Sequence, residues 1–136
     1  MTSALAPLSL TPLFVGLLVL MQVALTFIVI ARRHGAKVSL MDGGDPALLR
    51  RIRAHGNFTE TVPITLLAML VAEWTGAPAW LLWAGGGALL LGRGLHASSL
   101  IRRGMGAGRG AGMVLTFIAM VTFAVWDLQH VLAGVA

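Results

Sequence analysis

The chain has no cysteine and no tyrosine, and charged residues make up only 11% of its 136 positions. The missing cysteine excludes a disulfide-stapled secreted fold, and it means that any thiol chemistry must use a thiol brought by a ligand. The shortage of charge excludes an ordinary soluble domain, where about 25% of residues are charged, and also a disordered tail. No charged side chain occurs before Arg32. Hydrophobic residues fill 57% of the chain instead. This is the composition of a small polytopic membrane protein made of helices.

The length allows about four spans of ~20 residues with short connections. We read the chain as one all-α integral membrane domain, residues 1–136, folded as a four-transmembrane-helix bundle. The spans are expected at about 12–31, 46–74, 78–100 and 110–132. The first is too long, and its leader too poor in basic residues, to read as a cleaved signal peptide. Asp42-Gly43-Gly44-Asp45-Pro46 is a turn signal, with Asp45 as N-cap and Pro46 as the first residue of the second helix. That helix has a polar first half and an apolar second half, interrupted by Pro63, where a bend is expected. The short connection after Trp74 makes helices two and three an antiparallel pair. Residues 102–112 read as a flexible basic loop.

The net charge of +5 speaks to orientation rather than to nucleic acid. All ten Lys and Arg lie in or near the loops after the first and third spans. The positive-inside rule places both loops in the cytoplasm and both termini on the periplasmic side. Trp80 and Trp83 stand where interfacial aromatics belong, and Gly85-Gly86-Gly87 offers a surface for close helix approach.

Arg53, Asn57 and Glu60 are spaced i, i+4, i+7 and share one stripe of the second helix. Glu60 lies about 20 Å along that helix from Pro46, deep enough to require a protein environment and a cation. Arg53 and Arg93 are the candidates for that cation. Arg93 and His96 share a face of the third helix, and Arg109 stands at the mouth of the fourth, where the helix dipole favours an anion. Cations outnumber anions in this leaflet, which asks for an anionic ligand. The blander readings are topology anchors for Arg32, Arg33, Arg50 and Arg51, and a structural polar seam for Arg53–Asn57–Glu60. His34, Asp127 and His130 read as interface residues without a role. The four histidines lack metal-ligand spacing, so no metal site is expected. Gly106-x-Gly108-x-x-Ala111 imitates a dinucleotide fingerprint, but no βαβ unit surrounds it.

The segment Arg53-Ala54-His55-Gly56-Asn57-Phe58-Thr59-Glu60-Thr61-Val62-Pro63 resembles the pattern R-A-[HQ]-x-N-x-x-E-x-x-P of the MAPEG family, the membrane-associated proteins in eicosanoid and glutathione metabolism. The upstream turn resembles the family's bacterial branch. Leu91-Gly92-Arg93-Gly94-Leu95-His96-Ala97 is similar to its third-helix motif, and Arg109-Gly110-Ala111-Gly112-Met113 to the start of its fourth helix. The resemblance covers about Arg32 to Leu115 and implies a homotrimer of four-helix subunits in a bacterial inner membrane. It implies glutathione bound near the cytoplasmic side by Arg32, Arg53, His55, Asn57, Glu60, Arg93 and His96, with Arg109 stabilising the thiolate. It also implies a transferase, peroxidase or isomerase acting on lipophilic substrates that arrive through the lipid. The chain departs from the family late in helix three, where tyrosines are expected and Ser98 and Leu100 stand. The alternatives are a non-enzymatic lipid-binding or scaffold protein of the same fold and, less favoured, a small multidrug transporter. The transporter would place its acidic residue in the first span, which here is uncharged.

Overall fold

The computed structural model describes residues 8–104 and 106–135. Four helices follow in chain order: α1 (Leu10–Ala36), α2 (Pro46–Trp74), α3 (Ala79–Arg103) and α4 (Ala107–Val135). At 1.5 Å per residue each is about 37–44 Å long, more than the ~30 Å hydrocarbon core of a bilayer. Among the described residues, α1 and Ala107–Gly134 of α4 are the two helical stretches apolar enough to cross a membrane on their own hydropathy. The other two helices carry the polar residues discussed below.

α1 and α4 extend past both of their expected ends and α3 past its second, while α2 matches its expected bounds. Arg and Lys are good helix formers, so the basic residues that end the apolar runs do not end the helices. The largest difference is at residues 102–112. Most of this segment is helical rather than a flexible loop, and Met105 lies outside the described residues. Packing accounts for it: a Cβ on Gly112 would lie 2.5 Å from the Gly92 carbonyl oxygen and 2.6 Å from the His96 nitrogen. The start of α4 is pressed against the backbone of α3, and this contact holds a glycine-rich stretch in a helix.

The start of α2 follows the sequence signal. The Asp45 carboxylate accepts hydrogen bonds from the N–H groups of Ala47 at 2.8 Å and Leu48 at 3.2 Å, and Pro46 begins the helix. The same carboxylate pairs with Arg32 at 2.6 Å, tying the end of α1 to the start of α2. α2 runs unbroken through Pro63.

The opposite end of this hairpin is closed by Glu73. Its carboxylate accepts from the backbone N–H groups of Ser9 at 2.8 Å, Leu10 at 2.8 Å and Thr11 at 2.7 Å. These are N–H groups that a helix start cannot satisfy internally. Glu73 therefore caps α1 from another helix and places a negative charge at the positive end of its dipole. Trp126 of α4 donates to the Thr75 hydroxyl at this same end.

These contacts, with Asn57 beside Arg93 and His96 beside Gly112, give an up-down-up-down bundle. One apolar cluster packs Phe14, Met69, Ala72, Leu82 and Phe123 toward the Glu73 end. A second packs Leu18, Phe58, Val62, Leu89 and Ala119 toward the basic end. The Phe123 ring lies on Gly85 and the Phe14 ring on Gly86, so two of the three consecutive glycines serve as flat seats for aromatics.

Two predictions follow from these contacts. Gly112→Ala forces α3 and α4 apart and lowers the melting temperature in detergent, at a cost of about 1–3 kcal/mol. Gly110→Ala, whose Cβ meets nothing within 4 Å, does not lower it. Circular dichroism melts of both variants check this. The second concerns Asp45. Loss of hydration pushes its carboxyl up, but the Ala47 and Leu48 N–H groups and Arg32 together outweigh this and hold it below the ordinary 3.8. A depressed carboxylate stabilises the folded state above the ordinary pKa and stops doing so as pH falls through the lowered one. Asp45→Asn accordingly melts below the parent protein at neutral pH, and the difference closes on acidification below about pH 4.

Candidate functional site

A crevice of about 230 Å³ opens on the bundle between α2, α3 and the first turn of α4. Its walls are Ile52, Arg53, Gly56, Asn57 and Glu60 from α2, His96 and Leu100 from α3, and Arg109 from α4. The i, i+4, i+7 stripe on α2 supplies one wall because helical geometry puts all three side chains on one side. Arg109 reaches the crevice because close packing of Gly112 on α3 draws the start of α4 inward. Arg53, Glu60 and Arg109 are exposed at its rim, Asn57 is half-buried and His96 is 3% exposed.

Arg93 sits beneath the crevice and does not line it. It is 1% exposed, the most deeply buried charged group among the described residues. Its Nη1 donates to Asn57 Oδ1 at 2.6 Å and to Thr61 Oγ1 at 3.2 Å. Its Nε donates to Thr116 Oγ1 at 2.9 Å, and its Nη2 contacts the Met113 sulfur at 3.3 Å. One guanidinium thus joins α2, α3 and α4 without a carboxylate. Glu60, expected to pair with Arg53 or Arg93, forms no ion pair among the described residues. It lies on the open side of α2, whereas Arg93 points into the bundle.

The Arg93 contact decides how Asn57 is presented. A guanidinium only donates, so it must face the amide oxygen. The other end of the amide, with its two N–H donors, is left for the crevice. With Arg53 and Arg109 the walls are rich in donors, and Glu60 is the carboxylate among them. Such a surface suits an anion that also carries a cationic group.

Besides Arg93, two more of the expected ligand-holding residues are placed off the crevice walls. Arg32 is engaged by Asp45 at the far end of α1. His55 faces α1, where its Nε2 lies 2.8 Å from Gln22 Nε2 and 3.1 Å from Thr26 Oγ1. The geometry explains this: two residues after Arg53, a side chain is turned about 200° around the helix, away from the stripe. At the positions where the family resemblance leads one to expect tyrosines, Leu100 lines the crevice, while Ser98 donates to the Leu95 carbonyl and borders a separate depression. The crevice therefore gains no hydroxyl from Ser98.

The MAPEG family's sequence profile matches residues 11–128. The chain belongs to the MAPEG family. It is 32% identical over 118 residues to "Inner membrane protein YecN" of Escherichia coli strain K12, covering 87% of this chain and 89% of the relative. The protein of the same name from Escherichia coli O6:H1 matches to the same extent. No solved structure matches. As a MAPEG protein the chain is a membrane protein, in agreement with its two strongly apolar helices.

In this MAPEG protein the family match spans the whole crevice and the arginine beneath it. Sequence reasoning overlooked Glu73, because the groups it caps are 62 to 64 residues away and no local pattern marks the contact. Arg93, which the resemblance implies as a ligand-holding residue, lies beneath the crevice and meets it through Asn57. Asn57→Leu removes the Oδ1 acceptor from a buried guanidinium and is strongly destabilising, on the order of 3 kcal/mol. Asn57→Asp keeps an acceptor for Arg93 and melts close to the parent. Thermal unfolding in detergent separates these two outcomes.

Proposed function

We propose that this chain is a glutathione-dependent membrane transferase or peroxidase that acts on lipophilic electrophiles or hydroperoxides. The observation that carries the reading is the convergence of Arg53, Asn57, Glu60, His96 and Arg109 from three helices on one crevice. Glutathione is a net anion with two carboxylates and one ammonium, and the donor set fits that pattern. Arg53 and the Asn57 amide hold carboxylate oxygens, and Glu60 takes the ammonium. Gly56, whose Cβ would meet nothing within 4 Å, leaves room along the α2 wall.

When bound, glutathione supplies the thiol whose thiolate adds to an electrophile or attacks a hydroperoxide. Arg109 acts on that sulfur by its charge: a guanidinium beside a thiol favours the thiolate and lowers its pKa. Each unit of lowering corresponds to about 1.4 kcal/mol. Arg93 acts one step removed, as a positioning residue that fixes the Asn57 amide.

The crevice is smaller than the roughly 300 Å³ at which small-molecule sites begin. A second copy of the chain laid over the exposed Arg53, Glu60 and Arg109 would complete it and would also cover Glu60 within the membrane. This supports a homo-oligomer, which the family resemblance makes a homotrimer. The basic ends of α1 and α3 support a cytoplasmic placement of the crevice, with both termini periplasmic. The name of the Escherichia coli relatives supports the inner membrane as the location.

A second reading rests on Leu100. An apolar side chain occupies the crevice wall where a tyrosine hydroxyl is expected, which favours a protein that binds ligand without turnover.

Detergent-purified protein with glutathione and a chromogenic aryl halide tests the enzyme reading. The expected results are thiolate absorbance on glutathione addition, a glutathione-dependent rise in melting temperature, and turnover that falls about a hundredfold or more in Arg109→Ala. Absence of all three removes it, and binding without turnover selects the second reading. Asn57→Asp, which puts a carboxylate in place of the amide donors, weakens glutathione binding while leaving the melting temperature of the ligand-free protein nearly unchanged.

A further inference from the structure

A larger concavity, about 410 Å³, lies away from the crevice at the end of α1. Ile30, Arg33, His34, Lys37, Val38 and Ser39 line it. Two of these are permanent cations, one is a histidine and none is acidic. Asp42 is turned to the Gly44 N–H, and Asp45 is held by Arg32. The Arg33 guanidinium is steadied at one edge by a 2.8 Å hydrogen bond to the Met41 carbonyl. Lys37 adopts a left-handed conformation, φ 53°, and its N–H and that of Val38 cover the last α1 carbonyls. An anion here would be held by side chains, since the backbone presents the negative end of a helix dipole.

The concavity continues an exposed stripe. Leu20, Val23, Phe27, Ile30, His34 and Lys37 are spaced by alternating steps of three and four and so share one side of α1. Leu20, Val23, Phe27 and Ile30 are between 44% and 68% exposed. The stripe is apolar for about 15 Å of helix and then cationic. A molecule complementary to it has a hydrocarbon chain ending in an anionic headgroup.

We infer that this face of α1 binds an anionic phospholipid, with the glycerophosphate among Arg33, His34 and Lys37 and an acyl chain along Phe27 and Val23. Charge complementarity selects the headgroup, and the continuity of the apolar stripe selects a lipid over free phosphate. A basic cluster serving only as a topology anchor needs neither a concavity nor a matched stripe. The site is separate from the crevice and stands whether or not the chain turns over glutathione.

The test is native mass spectrometry of the full chain released from micelles containing equal amounts of phosphatidylglycerol and phosphatidylethanolamine. The parent protein retains phosphatidylglycerol preferentially. Lys37→Gln leaves the Arg33–Met41 tether in place and reduces that preference about fivefold, the factor expected for one basic residue at an anionic surface. Arg33→Gln with Lys37→Gln abolishes it, and Arg33→Lys preserves most of it. Arg102→Gln with Arg103→Gln removes the same charge from the end of α3 and leaves the preference intact. Equal loss from the α1 and α3 pairs overturns the proposal in favour of general surface charge. Displacement of the lipid by inorganic phosphate at matched concentration overturns it in favour of a free-phosphate site.

Discussion

A guanidinium with nearly no solvent exposure must be surrounded by acceptors, and meeting that demand for Arg93 organises the middle of this protein. No single helix supplies enough of them. Asn57 and Thr61 come from α2 and Thr116 from α4, so the three helices are locked in register by one side chain. Neutral acceptors leave the charge uncancelled, and the crevice above it lies in a positive field strengthened by Arg53 and Arg109. The positive field at the crevice thus begins in the core, with Arg93, before any rim residue is considered.

Around that lock the packing is made by small residues. Gly92 and Gly112 let α3 and α4 touch at their backbones, while Gly85 and Gly86 receive aromatic rings. In a membrane, where apolar surface gains little from leaving lipid for protein, such close contact is the main source of helix association. The glycine-rich start of α4 would be a poor helix in water. Here it is held by its neighbour, and this brings Arg109 to the crevice.

Local signals in the sequence carried the parts of the fold that depend on local physics. Asp45 and Pro46 announced the start of α2, and spacing alone placed Arg53, Asn57 and Glu60 on one wall. The family pattern was legible in the same helix, and the profile match agrees with it. Tertiary placement was not legible. His55 belongs to the motif but is turned toward α1, and Arg93 stands beside His96 in sequence yet ends beneath the crevice rather than in it. Gly108, Gly110 and Gly112 read as loop because the sequence does not display the partner helix that stiffens them. A pattern identifies which residues are neighbours along a helix; which of them meet the ligand depends on what lies on either side of that helix.

The clasp at both ends of the α1–α2 hairpin bears on biogenesis. Arg32 and Asp45 fasten one end, and Glu73 fastens the other by capping the start of α1. Every partner in these contacts precedes residue 75, so the hairpin can be completed while the second half of the chain is still being translated. Until Glu73 emerges, the leading helix has an open amino end. The clasps of the first pair of helices thus ask nothing of α3 and α4, whose residues all follow Glu73 in the chain.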